Sequence, residues 1–369
     1  MMIAYLCLLA SCVLAEPLPL IDPEFSDGLD TWAVSTPEQI DSFLLEDGEG
    51  SPDATDGQCL QLSSGTSIET RAPILRSMKA GQSLHVVVSL KGDLPDSPVR
   101  FALVEPSGAI HCGDEISASE TWNRYRVALM SKVDASGPLR LRIIQPGTSD
   151  GILLDNLSLE LIDPAGDDFE SLFNGETLEG WIGDTDGYSV EEGVLRVAPG
   201  TGGDIRTKSE FSDFQLRFDF LLSPGSNNGI AVRAPLEGNA AYEGMEIQVL
   251  DNLSESHSKL KPWQYHGSAY GIIPAKRGWM LPPGQWNRQE IRLVGRRLTV
   301  TLNGHVILDA DLDEALKDGP VSGAEHPGAA RTSGHVGFCG YGSEVSFRNI
   351  RIRPVMKGNQ GAQKGVESR

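Results

Sequence analysis

Alternation of apolar and polar residues recurs along most of the chain and predicts β-strands. In Leu139–Ile144 and Gln215–Phe220 every second residue is apolar, whereas most residues between them are charged or polar. This period of two puts one set of side chains on a buried face and the other toward solvent or a groove. Asn303-Gly304 is a strong hairpin signal, because both residues tolerate a positive φ. Only Asp311–Lys317 suggests a helix, so we predict an all-β protein of two consecutive β-sandwich or jelly-roll domains.

The two predicted domains are joined by the polar segment 163–168. We expect a first sandwich over residues 21–162, a second over residues 167–355 and a disordered tail over residues 356–369. The apolar run Ile3–Leu14, followed by Ala15, is too short to cross a bilayer and is typical of a signal peptide over residues 1–15. The alternative is a lipobox, Leu9–Cys12, with a lipid anchor on Cys12. Both predict a secreted or periplasmic protein, and no other segment predicts a transmembrane helix.

Charge and cysteine content narrow the function classes. The formal net charge is −20, which argues against a nucleic-acid partner, because binding phosphates requires a positive surface. Cleavage of the signal peptide would leave Cys59, Cys112 and Cys339, an odd number without a CxxC pair. Neither a disulfide scaffold nor a zinc site is therefore predicted. Cys59 and Cys112 either bridge within the first domain or remain buried thiols.

Three motifs in the first domain are similar to those of galactose-binding-like jelly rolls. They are Phe25-x-x-Gly28-Leu29-x-x-Trp32, Thr121-Trp122-x-x-Tyr125 and Leu154-Asp155-Asn156. Many carbohydrate-binding modules have this fold, so the resemblance implies a sandwich that would hold the protein near a glycan. It implies the fold better than the ligand.

Strand parity in the second domain brings polar side chains onto one face. Glu246 and Gln248 lie on the opposite side of their predicted strand from its apolar residues. Arg233 shares a side with Gly229 and Ala231 in another predicted strand. Since small residues leave room for a ligand, the two strands could form a groove floor that carries a carboxylate and a guanidinium. The alternative is a solvated face with a cross-strand ion pair.

Ordered motifs over nearly the whole second domain resemble the 3-keto-disaccharide hydrolase domain family. They are Phe169–Gly175 with Leu178-x-Gly180-Trp181, Tyr188–Leu195, Phe214–Phe220, Asn227–Arg233, Gly244–Asn252, Gly267–Tyr270, Pro283–Asn287 and Val345–Ile352. The resemblance implies a concanavalin-like jelly roll and the cleavage of glycosides that carry a ketone at sugar carbon 3. The ketone acidifies the hydrogen on carbon 2, so a base can remove it and the glycosidic oxygen can leave carbon 1.

Such a reaction needs a base, an electrophile for the enolate oxygen and an acid for the leaving group. With the resemblance as a guide, we assign Glu246 as base or metal ligand, Arg233 as enolate or hydroxyl clamp, and Asp251 as a second carboxylate. Gln248 and Asn228 are assigned to sugar binding. Carbohydrate is the implied partner, and a divalent metal ion is left open as a cofactor.

The loop from Trp263 to Lys276 supplies further candidate groups. Trp263, Tyr270 and Lys276 are predicted to bind the sugar, because long loops between strands often carry function. His266 is predicted to act as an acid or a metal ligand. The alternative is a surface loop in which Trp263 is a hydrophobic plug.

Residues Gly337–Gly342 depart from the family pattern, which commonly has the sequence Gly-Leu-Gln-x-His-Gly. Tyr341 replaces the histidine; it can donate a hydrogen bond to a substrate but cannot bind a divalent metal as an imidazole does. Altered specificity and a sugar binder without catalysis are both open. Another enzymatic alternative is a laminarinase-like retaining glucanase. The segment Glu246–Asp251 resembles the Glu-x-Asp strand of such enzymes, but Gln248 replaces the middle Asp and Asp251 replaces the second Glu.

Overall fold

A computed structural model describes residues 32–34, 59–63, 65–92, 98–146, 151–163, 168–200 and 202–355. Antiparallel strands dominate this part of the chain, which confirms the predicted all-β class. The strands are β1 (Trp32–Val34), β2 (Leu60–Leu62), β3 (Ser67–Thr70), β4 (Ser83–Lys91), β5 (Val99–Val104), β6 (Ile110–Ile116), β7 (Asn123–Met130), β8 (Arg140–Ile144), β9 (Ile152–Ile162), β10 (Glu170–Ser171), β11 (Trp181–Gly183), β12 (Tyr188–Glu191), β13 (Val194–Val197), β14 (Gly202–Phe211), β15 (Phe214–Leu222), β16 (Asn227–Ala234), β17 (Met245–Leu250), β18 (Trp286–Val294), β19 (Arg297–Leu302), β20 (His305–Asp311), β21 (Gly334–Tyr341) and β22 (Val345–Pro354). The α-helices found there are short, α1 (Ala240–Glu243) and α2 (Leu312–Leu316).

Strands β1 to β9 form what we call the first unit, in which two antiparallel sheets enclose a hydrophobic cluster. Their strand orders are β1-β3-β8-β5-β6 and β2-β9-β4-β7. Leu84, Val86 and Val88 of β4 alternate into the cluster, as do Leu139, Leu141 and Ile143 at β8. The period of two seen in the sequence is therefore the period of burial.

Strands β10 to β22 form the second unit, with its own hydrophobic cluster between two sheets. The back sheet has the order β12-β13-β22-β15-β18-β19-β20, and β10 also pairs with β22. The site sheet has the order β11-β14-β21-β16-β17. Phe347 of the back sheet packs on Phe338 of the site sheet with ring centroids 4.2 Å apart. Each sheet thus turns one face toward the shared core and one face outward.

A bulge interrupts the site sheet where β16 meets β21. The register shifts between Ala231 and Ala234, and Arg233 within this stretch has a φ of 49°. A left-handed residue inside a strand breaks the alternation of side chains between faces. Counting alternate residues through the bulge therefore assigns the Arg233 side chain to the wrong face of the sheet.

Several sequence predictions fall on residues outside the described ranges, namely the signal peptide, the lipid anchor on Cys12 and the tail. The domain bounds stay predictions, since residues 164–167 also lie outside these ranges. Cys112 and Cys339 are free thiols, and Cys59 and Cys339 are buried. No helix within the described residues is long and apolar enough to cross a membrane.

Candidate active site

The outward face of the site sheet has a floor of small residues between two charged flanks. One cross-strand row runs Arg206, Gly337, Ala231, Glu246. The neighbouring row runs Asp204, Cys339, Gly229, Gln248. The structure therefore places Glu246 and Gln248 on the outward face, as parity predicts, opposite an arginine on the far side of the floor.

Two glycines allow the charged side chains to lie flat on this floor. A Cβ atom at Gly229 would be 2.0 Å from Oε1 of Glu246, and a Cβ atom at Gly337 would be 2.7 Å from Cδ of Arg206. Both separations are shorter than van der Waals contact. The absence of side chains at these positions thus determines where the carboxylate and the guanidinium can lie.

Glu246 is a buried carboxyl group with an unusual proton affinity. The residue is only 2% exposed, and the Tyr341 hydroxyl donates a hydrogen bond of 2.9 Å to Oε2. Burial raises the pKa of Glu246 to about 7, with nearby Asp204 adding to the rise, while the Tyr341 hydrogen bond and Arg206 oppose it. A carboxyl group with a pKa near neutrality exchanges protons readily under physiological conditions, as a general acid or base must.

Arg206 and Asp204 are residues of this face that the sequence reasoning missed. Nη2 of Arg206 lies 2.7 Å from Oδ2 of Asp204, and the Arg206 side chain is 2% exposed. Nε of Arg206 is buried without a hydrogen-bond partner. The signal was present in the alternation of Asp204 and Arg206 around Ile205, which faces the core. Alternation of side chains along one strand does not predict the order of strands in the sheet, so it could not show that β14 lies near β16 and β17.

Arg233 does not take the predicted position beside Glu246. Its guanidinium pairs with Asp213 at 3.0 Å and donates to the backbone oxygens of Ser212 and Gly295. The side chain is 1% exposed. The bulge in β16 turns Arg233 toward these loops, so it stabilises the fold there and Arg206 is the guanidinium of the outward face.

Asp251, His266 and Asn228 also lie away from the predicted cluster. The Asp251 carboxylate accepts backbone N–H groups of Gly225 and Leu253 in the turn after β17. Glu246 and Asp251 therefore do not form the carboxylate pair of the glucanase alternative. Asn228 is fully buried, and its side-chain oxygen accepts the N–H of Gly229.

His266 belongs to the core side of the second unit. Its ring stacks on Phe220 at 5.0 Å, and burial lowers its pKa to about 3. Its Nδ1 accepts the N–H of Leu250 at 3.4 Å. A neutral imidazole held in the core cannot serve the outward face as an acid.

The loop after β17 does bring aromatic residues to the site. The Tyr270 N–H donates a hydrogen bond of 2.9 Å to the carbonyl oxygen of Glu246. This pairing extends the site sheet by one chain segment. Trp263 packs edge-on against Tyr270 with ring centroids 5.0 Å apart, and both are partly exposed. Lys276 is exposed, and its N–H donates to Ile307 in the back sheet. Trp263 and Tyr270 thus border Glu246, whereas the Lys276 backbone is tied to β20.

An open depression adjoins the Tyr341 end of this face. It has a volume of about 410 Å³ and is lined by residues 183–187 and Gly202. Gly202 pairs directly with Tyr341, and Asp184 accepts the N–H of Asp204 at 3.1 Å. The depression therefore lies beside the strand pair that carries Asp204 and Tyr341.

The residues around Glu246 do not fit a divalent metal site. Within the described ranges no group of three or more His, Cys, Asp or Glu side chains could hold such an ion. The Arg206 guanidinium lies near enough to favour the ionised form of Glu246, and this positive charge opposes the binding of a cation there.

Fold and site together define a β-sandwich protein whose outward face carries a buried carboxyl group, a guanidinium and a phenol. The sequence profile of the 3-keto-alpha-glucoside-1,2-lyase-like domain family matches residues 168–353, and the chain belongs to this family. A 3-keto-disaccharide hydrolase of Bacteroides thetaiotaomicron is 26% identical over 240 residues, covering 54% of this chain and 82% of that protein. A crystal structure of a candidate glycosyl hydrolase from Parabacteroides distasonis is 29% identical, covers 51% of this chain and all of the other, and has a TM-score of 0.47. A second such structure from P. distasonis is 26% identical, covers 51% of this chain and 94% of the other, and has a TM-score of 0.44.

Proposed function

We propose that this protein is a carbohydrate-active enzyme that cleaves 3-keto-glycosides by removing the proton on carbon 2 and expelling the glycosidic oxygen from carbon 1. Family membership supports the substrate class. The observation that carries the proposal is Glu246, a buried carboxyl group whose pKa is about 7, on an outward face that also holds Arg206 and Tyr341. The carbon acid of a 3-ketose requires a base of this kind.

In the proposed mechanism, Glu246 takes the carbon 2 proton and the electrons of the broken C–H bond form an enolate with the carbon 3 oxygen. Arg206, which has a buried Nε without a partner, stabilises that oxygen. The enolate then re-forms the ketone and a double bond between carbons 1 and 2 as the C1–O bond breaks. The leaving oxygen takes a proton from Tyr341 or water, and addition of water across the double bond gives net hydrolysis.

The proposed sugar subsites follow from what borders Glu246. Tyr270 and Trp263 present partly exposed rings that can stack on a pyranose, and Gln248 lies next to Glu246 on the same face. The depression beyond Tyr341 gives space for the aglycone. Burial of the Tyr341 hydroxyl and its hydrogen bond to Glu246 raise the pKa of Tyr341, so it stays a proton donor at neutral pH.

We further propose that the protein is exported, with glycans as its partners. The apolar run Ile3–Leu14 and the small residue that follows support a signal peptide, and Cys12 supports the alternative of a lipid anchor. N-terminal sequencing of the protein released into periplasm or medium tests cleavage after Ala15. A palmitate label that is retained by wild type and lost in Cys12→Ser would instead support the anchor.

The test of the chemistry compares Glu246→Gln with Glu325→Gln, which alters an exposed carboxylate outside the site. With a chromogenic 3-keto-glucoside, we expect Glu246→Gln to lower kcat at least 100-fold because the base is removed, and Glu325→Gln to match wild type. Deuterium at carbon 2 should slow the wild-type reaction, and the unoxidised glucoside should not react. Full turnover by Glu246→Gln would refute the assignment of the base.

The alternative is a protein that binds the sugar without cleaving it. The hydrogen bond from Tyr341 to Glu246 is compatible with this alternative, because it occupies one oxygen of the proposed base. If wild type binds the 3-keto-glucoside by calorimetry and releases no aglycone, the protein is a binder. Release from unoxidised β-glucan would instead support the glucanase alternative.

A further inference from the structure

The sheet β2-β9-β4-β7 of the first unit has an outward face that is not open to solvent. On β4 the residues Val87 and Ser89 point away from the hydrophobic core, yet they are only 1% and 2% exposed. Ser158, which lies beside Val87 on β9, is 3% exposed. On this sheet these residues have neighbours that cover them on the side away from the core.

The cover is the second unit, and the contact is made of matched polar groups. Arg124 donates from Nη1 to the carbonyl oxygen of Met280 at 2.7 Å. Arg126 donates from Nη1 to the carbonyl oxygen of Trp286 at 2.8 Å and from Nη2 to Oδ1 of Asn303 at 2.6 Å. Arg124 is buried and Arg126 is partly buried, and each of them donates to acceptors of the second unit.

A further hydrogen bond from the first unit and an ion pair with its cation in the second unit complete the match. Ser158 donates 2.7 Å to the carbonyl oxygen of Asn303, and Arg288 of β18 pairs with Glu160 of β9 at 2.8 Å. Burial raises the pKa of Glu160 and Arg288 opposes that rise, and the Glu160 side chain is 23% exposed. Leaving such groups buried without partners is costly, so each side of the contact needs the other.

The backbone of the second unit approaches so closely that one position accepts only glycine. A Cβ atom at Gly304, in the β19–β20 hairpin, would be 2.5 Å from the carbonyl oxygen of Leu159. The Asn303-Gly304 turn therefore does more than reverse the chain. Its backbone lies directly on β9 of the first unit.

The contact lies on the far side of the second unit from the candidate site. Trp286 and Arg288 belong to β18 of the back sheet, whereas Glu246 belongs to the site sheet. The hydrophobic cluster of the second unit separates the two sheets. A ligand on this face of the first unit would therefore have to displace the second unit.

We infer that the outward face of the β2-β9-β4-β7 sheet is a permanent docking surface for the back sheet of the same chain, and not a glycan-binding surface. The first unit is then a fixed support behind the site sheet. The two units open and unfold as one body. This inference does not depend on the proposed reaction.

The test uses the full chain with two glycine variants. Gly304→Ala places a methyl group against Leu159, whereas Gly284→Ala has a closely similar φ (+84° against +87°) and nothing within 4 Å of its Cβ atom. We expect wild type and Gly284→Ala to melt in one transition, and Gly304→Ala to melt in two. Hydrogen exchange in β7 and β9 should rise at least tenfold in Gly304→Ala only.

A milder variant covers the outcome in which Gly304→Ala fails to fold. Ser158→Ala removes one donor in the first unit, and it should speed hydrogen exchange in the β19–β20 hairpin of the second unit. Two separate transitions in wild type would overturn the inference. Exchange in β7 and β9 that is the same in both glycine variants, or an unaffected hairpin in Ser158→Ala, would also overturn it.

Discussion

Replacing Tyr341 with phenylalanine should make Glu246 a stronger base that is ionised only at higher pH. The Tyr341 hydroxyl donates 2.9 Å to the carboxylate, and this hydrogen bond lowers the pKa of Glu246 against the effect of burial. A hydrogen bond to a charged group contributes about 1.5–3 kcal/mol. Because Tyr341 is half exposed, we take the lower end, which corresponds to about one pH unit at 1.36 kcal/mol per unit.

The assay is the pH dependence of kcat/KM for a 3-keto-glucoside, whose acid limb reports ionisation of the base in the free enzyme. Wild type should lose activity as pH falls through about 7, where Glu246 becomes protonated. In Tyr341→Phe the midpoint of this limb should rise by about one pH unit, so activity well below it falls about tenfold. Loss of a proton donor would lower only the plateau. An acid limb that stays in place would refute the account of how Glu246 is tuned.

Two further predictions concern the floor and the cost of the buried carboxyl group. Gly229→Ala places a Cβ atom 2.0 Å from Oε1 of Glu246 and should lower kcat at least tenfold with little change in melting temperature. The control Gly323→Ala, whose Cβ atom meets nothing within 4 Å, should leave kcat unchanged. A Gly229→Ala enzyme with wild-type kcat would refute the packing argument. Because the folded pKa of Glu246 is about 7 against a reference of 4.5, the unfolded chain ionises first and stability falls as pH rises from about 4.5 to 7. Glu246→Gln should therefore stabilise the protein at pH 8, by at most about 3 kcal/mol relative to its effect at pH 4; denaturant titrations at the two pH values check this, and an equal effect at both would contradict it.

The periodicity of the sequence was sufficient for the fold class and for the outward positions of Glu246 and Gln248. Both lie in β17, which is regular from Met245 to Leu250, so parity holds along it. Arg233 was misplaced because one left-handed residue in β16 resets the alternation. His266 could not be located from local pattern, since its loop pairs with β17 and turns the ring onto Phe220.

Arg206 shows what limits such reasoning. Its strand, β14, is separated from β17 by two other strands, and only the sheet order β14-β21-β16-β17 brings the guanidinium opposite Glu246. Alternation along the sequence predicts which face of a sheet a residue lies on. It does not predict which residues lie beside it on neighbouring strands, because those are set by pairing between distant segments. The glycines at 229 and 337 are the visible trace of that pairing, because each leaves room for a charged side chain on its own face of the sheet. A cluster of glycine and alanine on the outward parity of adjoining strands therefore indicates a floor, and the charged residues of the strands beside it are the ones to test first.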